Sequence, residues 1–182
     1  MQIAEAYYLV LDLESTCAED KSIPRPQRET IEIGAVMLNA ESLQVEGEWQ
    51  RFVQPVVRPQ LTPYCTQLTS ITQTDVEGAA GFTTVMADLC AWAETFGSYR
   101  LCAWGDYDRR QLQRDCQRHG IDYPFGDGYL NLKQAFSASQ GVRQMGLMAA
   151  LAQMELRFEG RCHRGIDDAR NTARLIARLR ML

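Results

Sequence analysis

The stretch Tyr7-Tyr8-Leu9-Val10-Leu11-Asp12-Leu13-Glu14-Ser15-Thr16-Cys17 constrains this chain more than any other. A run of aromatic, β-branched and aliphatic residues reads as a buried strand, and it closes on two carboxylates spaced two apart. Residues i and i+2 of a strand share a face, so Asp12 and Glu14 point the same way from the strand's end. Two anions side by side repel unless a cation sits between them. The pair is therefore expected to hold a divalent metal, although such a pair taken alone is more often a solvated turn.

Further strands are expected over 29–38 (E-T-I-E-I-G-A-V-M-L) and 49–53, with short connections that favour antiparallel neighbours. The span 55–76, broken by Pro55, Pro59 and Pro63, reads as a long loop. Phe82, Val85, Met86, Leu89, Ala93 and Phe96 recur at helical spacing and end near Gly97. A short strand is expected over 100–104, then a helix with Leu112 and Cys116 on one face, stopping at His119-Gly120. His119 is read there as a capping residue. Residues 129–132 read as a strand, 145–154 as an apolar helix and 166–181 as the last helix, with Ala169, Ala173, Ile176 and Ala177 inward. The order β-β-β-α-β-α-β-α-α predicts an α/β fold, a mixed sheet with helices on both sides.

The 182 residues, 46% hydrophobic and 23% charged, suit one soluble domain spanning 1–182. No apolar run approaches the roughly 18 residues of a membrane span, and the start lacks a signal-peptide pattern, so a cytoplasmic protein with no membrane partner is expected. The six cysteines lack C-x-x-C spacing and are read as free thiols, mostly in the core. The net charge of −4 argues against holding nucleic acid by bulk positive charge. Arginines are nevertheless clustered, at 109, 110, 114 and 118 and again from 161 to 180, where solvated helix faces are their plain role. No oligomeric state follows from the pattern.

Two features strengthen the metal reading. Asp108 follows the apolar run 101–104, and if that strand lies parallel beside the first, their carboxyl ends meet where open α/β sheets bind ligands. His163 and Asp168 open the last helix and reach a common site if the preceding loop folds back. Acidic residues in a first helical turn also favour the positive end of the helix dipole, which one of Asp167 and Asp168 could serve alone. Glu32, set among apolar residues, is read as structural and needs a partner if buried.

In this order the residues resemble the DEDDh (DnaQ-like) 3′→5′ exonucleases. D-L-E-S-T-C at 12–17 resembles their first motif, W-G-D-Y-D-R-R-Q-L at 104–112 the second, with Asp108 as its carboxylate, and H-R-G-I-D-D-A-R-N at 163–171 the third. I-E-I-G-A-V at 31–36, F-V-Q-P at 52–55 and L-T-S-I-T-Q-T-D-V at 68–76 are similar to the branch of histone-mRNA and small-interfering-RNA 3′ exoribonucleases and KapD-like proteins. Trp104 stands where much of the superfamily has asparagine, and Gly165 where alanine is common. The resemblance implies a ribonuclease H-like fold with a mixed five-stranded sheet. It also implies two Mg²⁺ or Mn²⁺ ions held by Asp12, Glu14, Asp108 and Asp168, with His163 as general base. Leu13, Thr16, Leu68 and Ile71 would contact the terminal nucleotide, though Leu68 and Ile71 could equally anchor the loop to the core. The implied activity is 3′→5′ hydrolysis of single-stranded nucleic acid, RNA favoured over DNA, releasing 5′-mononucleotides. A proofreading or repair DNA exonuclease and a catalytically silent nucleic-acid or protein binding module are the alternatives.

Overall fold

In the computed structural model, which describes residues 5–179, the carboxylate-bearing strand is β1, Tyr7–Ser15, at the centre of the sheet. β2 (Thr30–Asn39) runs antiparallel to β1, and β3 (Val45–Phe52) antiparallel to β2. On the other side β4 (Tyr99–Ala103) lies parallel to β1, and the two-residue β5 (Leu130–Asn131) parallel to β4. The five-stranded order is β3-β2-β1-β4-β5, so the expected mixed sheet forms.

Both faces are covered. Leu9, Leu11 and Leu13 pack with Val85, Met86 and Leu89 of α3 (Phe82–Glu94) and Leu112 and Cys116 of α4 (Tyr107–His119). Val10 packs with Val36, Leu38, Ala169, Ala173 and Ile176, the last three on α7 (Gly165–Leu179). Strand periodicity therefore aims Asp12 and Glu14, which share Val10's parity, toward α7. A third layer joins α5 (Leu132–Gln140), α6 (Leu147–Gln153) and α7 through Phe136, Leu147, Leu151 and Leu175.

The structure differs from the expectations at four places. The span 55–76 holds two short helices, α1 (Pro63–Thr69) and α2 (Gln73–Glu77). Their polar residues, which read as loop, are the caps: Thr62 accepts from the Cys65 N–H at 3.0 Å, and Thr72 and Asp75 form a capping box. The strand expected over 129–132 stops at Asn131, whose side chain caps α5 by accepting the Gln134 N–H at 3.1 Å. Gly120, at φ +64, closes α4, whereas the His119 ring stacks on Phe82 with centroids 5.2 Å apart; His119 is a packing residue. The last helix begins at Gly165, and the expected end at Met181 lies outside the described residues. The six cysteines are free, and among the described residues no helix is long and apolar enough to cross a membrane.

Gly34 pairs with Asp12 in the β1–β2 ladder. A Cβ there would come within 2.1 Å of the Gly165 carbonyl carbon and the Ile166 nitrogen, so the start of α7 rests directly on β2. Because those neighbours are backbone, Gly34→Ala must push α7 off the sheet and is expected to lower stability by about 3 kcal/mol. Urea unfolding measures this, and a variant as stable as wild type would show that the helix can move aside freely.

Candidate active site

Four carboxylates and one histidine meet in a cleft of about 330 Å³ at the carboxyl ends of β1 and β4. Asp12 and Glu14 come from β1, Asp108 from the first turn of α4, and Asp168 from the first turn of α7. Oxygen atoms of Asp12, Glu14 and Asp168 lie within 4.8 Å of one another. Asp108 lines the same cleft and accepts the Leu13 N–H at 3.2 Å, which ties α4 to the end of β1. His163, at φ +63, takes the left-handed conformation that folds the preceding loop back, so that it and Asp168 face one space. The Asp168 carboxylate in turn accepts the Arg164 N–H at 3.2 Å.

What fixes α7 over the strand end is Glu32, which is fully buried. Its carboxylate accepts from Arg164 Nε and Nη2, both at 3.1 Å, from the Gly165 N–H at 3.0 Å and from Gln50 Nε2 at 3.0 Å. The Arg164 guanidinium also lies over the Phe52 ring, 5.3 Å from its centroid. At Gly165 a Cβ would sit 3.0 Å from the Asp12 carbonyl oxygen and 3.1 Å from the Gly34 nitrogen, so glycine gives the closest seating of helix on strand.

The cluster strains its own ionisation. Burial, then the charges of Asp168, Glu32 and Asp108, pushes Glu14 from 4.5 up to about 9. Burial followed by Asp108, Glu14 and Asp168 raises Asp12 well above the usual carboxylate range. Asp108 rises to about 7 through burial, opposed by the Leu13 N–H. Asp168 rises to about 6, again by burial, with the charge of His163 and the backbone N–H groups of Arg164 and His163 pulling it back. Oxygen donors alone, converging from three elements and holding protons where no cation compensates them, fit a hard divalent metal.

The residues expected to touch a nucleotide divide. Leu13 and Leu68 line the cleft, joined by Trp104 and Leu147. Thr16 and Ile71 do not. Thr16 is buried: its hydroxyl accepts the Glu29 N–H at 3.0 Å while its own N–H donates to the Glu29 carbonyl at 2.9 Å. Ile71 is wholly buried with Cys17, Ile31, Cys65 and Val76, and so anchors the 63–77 segment to the core. Ser15, Cys17, Arg28 and Tyr107 also line the cleft and were not singled out from the sequence. Ser15 and Tyr107 adjoin motif carboxylates, and their hydroxyls are hydrogen-bonded at 2.5 Å. Arg25 and Arg28 stand in the polar segment 18–28, which Pro24 and Pro26 break and which reads as a loop at the rim of the strand end; this is the one signal for Arg28.

Comparison with known proteins agrees with the geometry. The exonuclease family model RNase_T matches residues 9–176. The ERI1 exoribonuclease 3 of Homo sapiens is 36% identical over 184 residues, covering 95% of this chain and 53% of the relative. The 3′-5′ exoribonuclease 1 of Homo sapiens is 31% identical over 188 residues, covering 97% of this chain and 54% of the relative. The chain thus spans about half the length of these relatives. The rAMP-bound nuclease domain of 3′hExo, a DEDDh family member, superposes with a TM-score of 0.89 at 29% identity, over 98% of this chain and 93% of that one. A 3′-exonuclease solved for its recognition of the histone mRNA stem-loop gives a TM-score of 0.90 at 30% identity, covering 96% of this chain and 63% of that one. The ribonuclease H-like fold expected from the motifs is the fold observed.

The raised carboxylates make stability depend on pH. Between their ordinary values of 3.8 and 4.5 and the raised values, up to about 9 for Glu14, the folded chain binds more protons than the unfolded one. Metal-free stability therefore falls as pH rises through that window. Thermal melts should show Tm declining from about pH 5 to about pH 8, Asp12→Asn recovering part of the loss, and Mn²⁺ stabilising wild type more at the higher pH. A metal-free Tm that climbs with pH would contradict the electrostatic account.

Proposed function

The chain belongs to the RNase_T exonuclease family, and we propose that it is a metal-dependent 3′→5′ exoribonuclease acting as one domain. It hydrolyses phosphodiester bonds of single-stranded RNA and releases 5′-mononucleotides. The observation that carries this reading is the meeting of Asp12, Glu14, Asp108, Asp168 and His163 around one cleft with an apolar wall. Its volume of about 330 Å³ is at the small end of ligand pockets, which run roughly 300–1,000 Å³, and suits one terminal nucleotide better than a paired end.

Asp12, Glu14, Asp108 and Asp168 would hold two Mg²⁺ or Mn²⁺ ions, since hard oxygen donors suit hard cations. Bound there, such ions lower the pKa of water and stabilise charge on the phosphate oxygens. Four carboxylates roughly balance two dications, so the substrate phosphate does not meet a net negative site. His163 is exposed at the cleft rim beside Asp168 and takes the proton of the attacking water as general base. Leu13, Leu68 and Trp104 supply the faces on which the terminal base rests. Preference for RNA is supported by the exoribonuclease relatives and would be exercised through contacts to the 2′-hydroxyl, which a matched deoxy strand lacks. Six free thiols suit a reducing, cytoplasmic setting.

Asp12→Ala and Asp168→Ala are each expected to abolish Mg²⁺- or Mn²⁺-dependent release of 5′-mononucleotides from a single-stranded RNA oligomer. Full activity in either variant would sink the site assignment. His163→Ala should lower kcat by ~10²–10⁴ while oligomer binding persists; an unchanged kcat would remove the base role. Digestion of matched RNA and DNA oligomers should favour RNA, and faster cleavage of DNA would move the protein to the proofreading or repair class.

A further inference from the structure

A second groove continues from the cleft. It is lined by Arg25, Asp106, Tyr107, Arg110 and Arg114, and Tyr107 lines both spaces. Arg28, on the cleft's edge, belongs to the same side. One wall is the short 3₁₀ turn Arg25–Gln27, and the other is the outer face of α4, where Arg110 and Arg114 stand one turn apart.

The two walls are braced against each other. Gln111 Nε2 donates to the Arg28 carbonyl at 2.9 Å, and Arg118 Nη2 donates to the Pro26 carbonyl at 3.0 Å. The arginines are thus presented from a fixed frame, although they stand on what the sequence reads as loop and solvated helix face.

Their charge is only partly offset within the fold. The groove's carboxylate, Asp106, is shared between Arg109 at 3.4 Å and Arg110 at 3.6 Å. Arg114 donates from Nη2 to the neutral Gln111 Oε1 at 2.7 Å, and its buried Nε has no hydrogen-bond partner. Among the described residues no carboxylate is paired with Arg25 or Arg114. Like charges one helical turn apart destabilise a helix, and Asp106, shared by Arg109 and Arg110, offsets only part of the charge on Arg110 and Arg114. Three lining guanidinium groups against one carboxylate leave this groove net positive beside the acidic cleft, in a chain of net charge −4, which suits a polyanion.

We propose that this groove binds the backbone phosphates of the RNA strand on the 5′ side of the scissile bond, the strand passing over Tyr107 between Arg25 and the Arg110–Arg114 face. The inference rests on the exoribonuclease reading, and deepens it by giving the cleft a track for the remainder of its substrate. Contacts to phosphate carry no sequence information, so the groove sets affinity and strand path rather than base preference.

The test compares a dinucleotide, too short to reach the groove, with an oligomer of roughly ten nucleotides. In Arg25→Gln/Arg110→Gln, whose two side chains are exposed, dinucleotide kinetics should stay unchanged. The oligomer's KM should rise about tenfold, and the log–log salt slope of oligomer binding should flatten by about 1.4, or ~0.7 per lost phosphate contact. Arg110→Glu should weaken the oligomer further at the same dinucleotide rate. Equal oligomer KM and salt slope in the variants overturn the track, and would leave the groove to an acidic protein partner. Should wild type with Mg²⁺ or Mn²⁺ cleave neither the dinucleotide nor the oligomer, the exonuclease reading fails by itself. Anisotropy of a labelled oligomer without metal then still decides for or against the groove.

Discussion

A buried carboxylate sets the geometry on which the rest of this molecule depends. Glu32 lies on β2 opposite Glu14, and it holds the first turn of α7 through Arg164 and the Gly165 N–H. Desolvation offsets much of what such an ion pair gains, so its main effect is positional. Glycines at 34 and 165 complete the arrangement by letting helix and sheet backbones meet without side chains between them. Asp168 comes to lie beside Asp12 because of this contact, and the cleft exists because they are close.

The same closeness works against the fold. Burying Asp12, Glu14, Asp108 and Asp168 together forces protons onto groups that are ionised in water. The cost is tolerated because each carboxylate sits on an element that cannot drift: a central strand, and the first turns of two helices packed on opposite faces of the sheet. Preorganisation of this kind removes reorganisation from the reacting step, as expected of a site that stabilises developing charge. The strain is local and cation-shaped.

Much of this was legible in the chain itself. The i, i+2 spacing of Asp12 and Glu14 put both on one strand face, and the parallel β1–β4 pair brought Asp108 to them. The fold-back at His163 was a condition of the reading, and the left-handed φ of that residue meets it. What stayed hidden was held by tertiary contacts. Residues 63–77 are helical through threonine caps and burial of Cys65, Ile71 and Val76, which composition reads as polar loop. Glu29 looked like an ordinary strand start, yet its carboxylate accepts the N–H groups of Val56, Val57 and Arg58. Thr16 and Ile71 belonged to matching motifs, but their side chains serve the frame around the cleft instead of its surface.

Trp104 carries a consequence of a different kind. Its indole N–H donates to the Met145 carbonyl at 3.1 Å, and its ring meets Phe136 edge-on at 5.7 Å while also lining the cleft. The other tryptophans, Trp49 and Trp92, stack on each other in the core on the opposite sheet face, with centroids 6.4 Å apart. A single indole therefore faces the reacting space, and the chain carries its own optical reporter. Changes in intrinsic emission on loading the cleft arise from one known ring against a constant background from the other two.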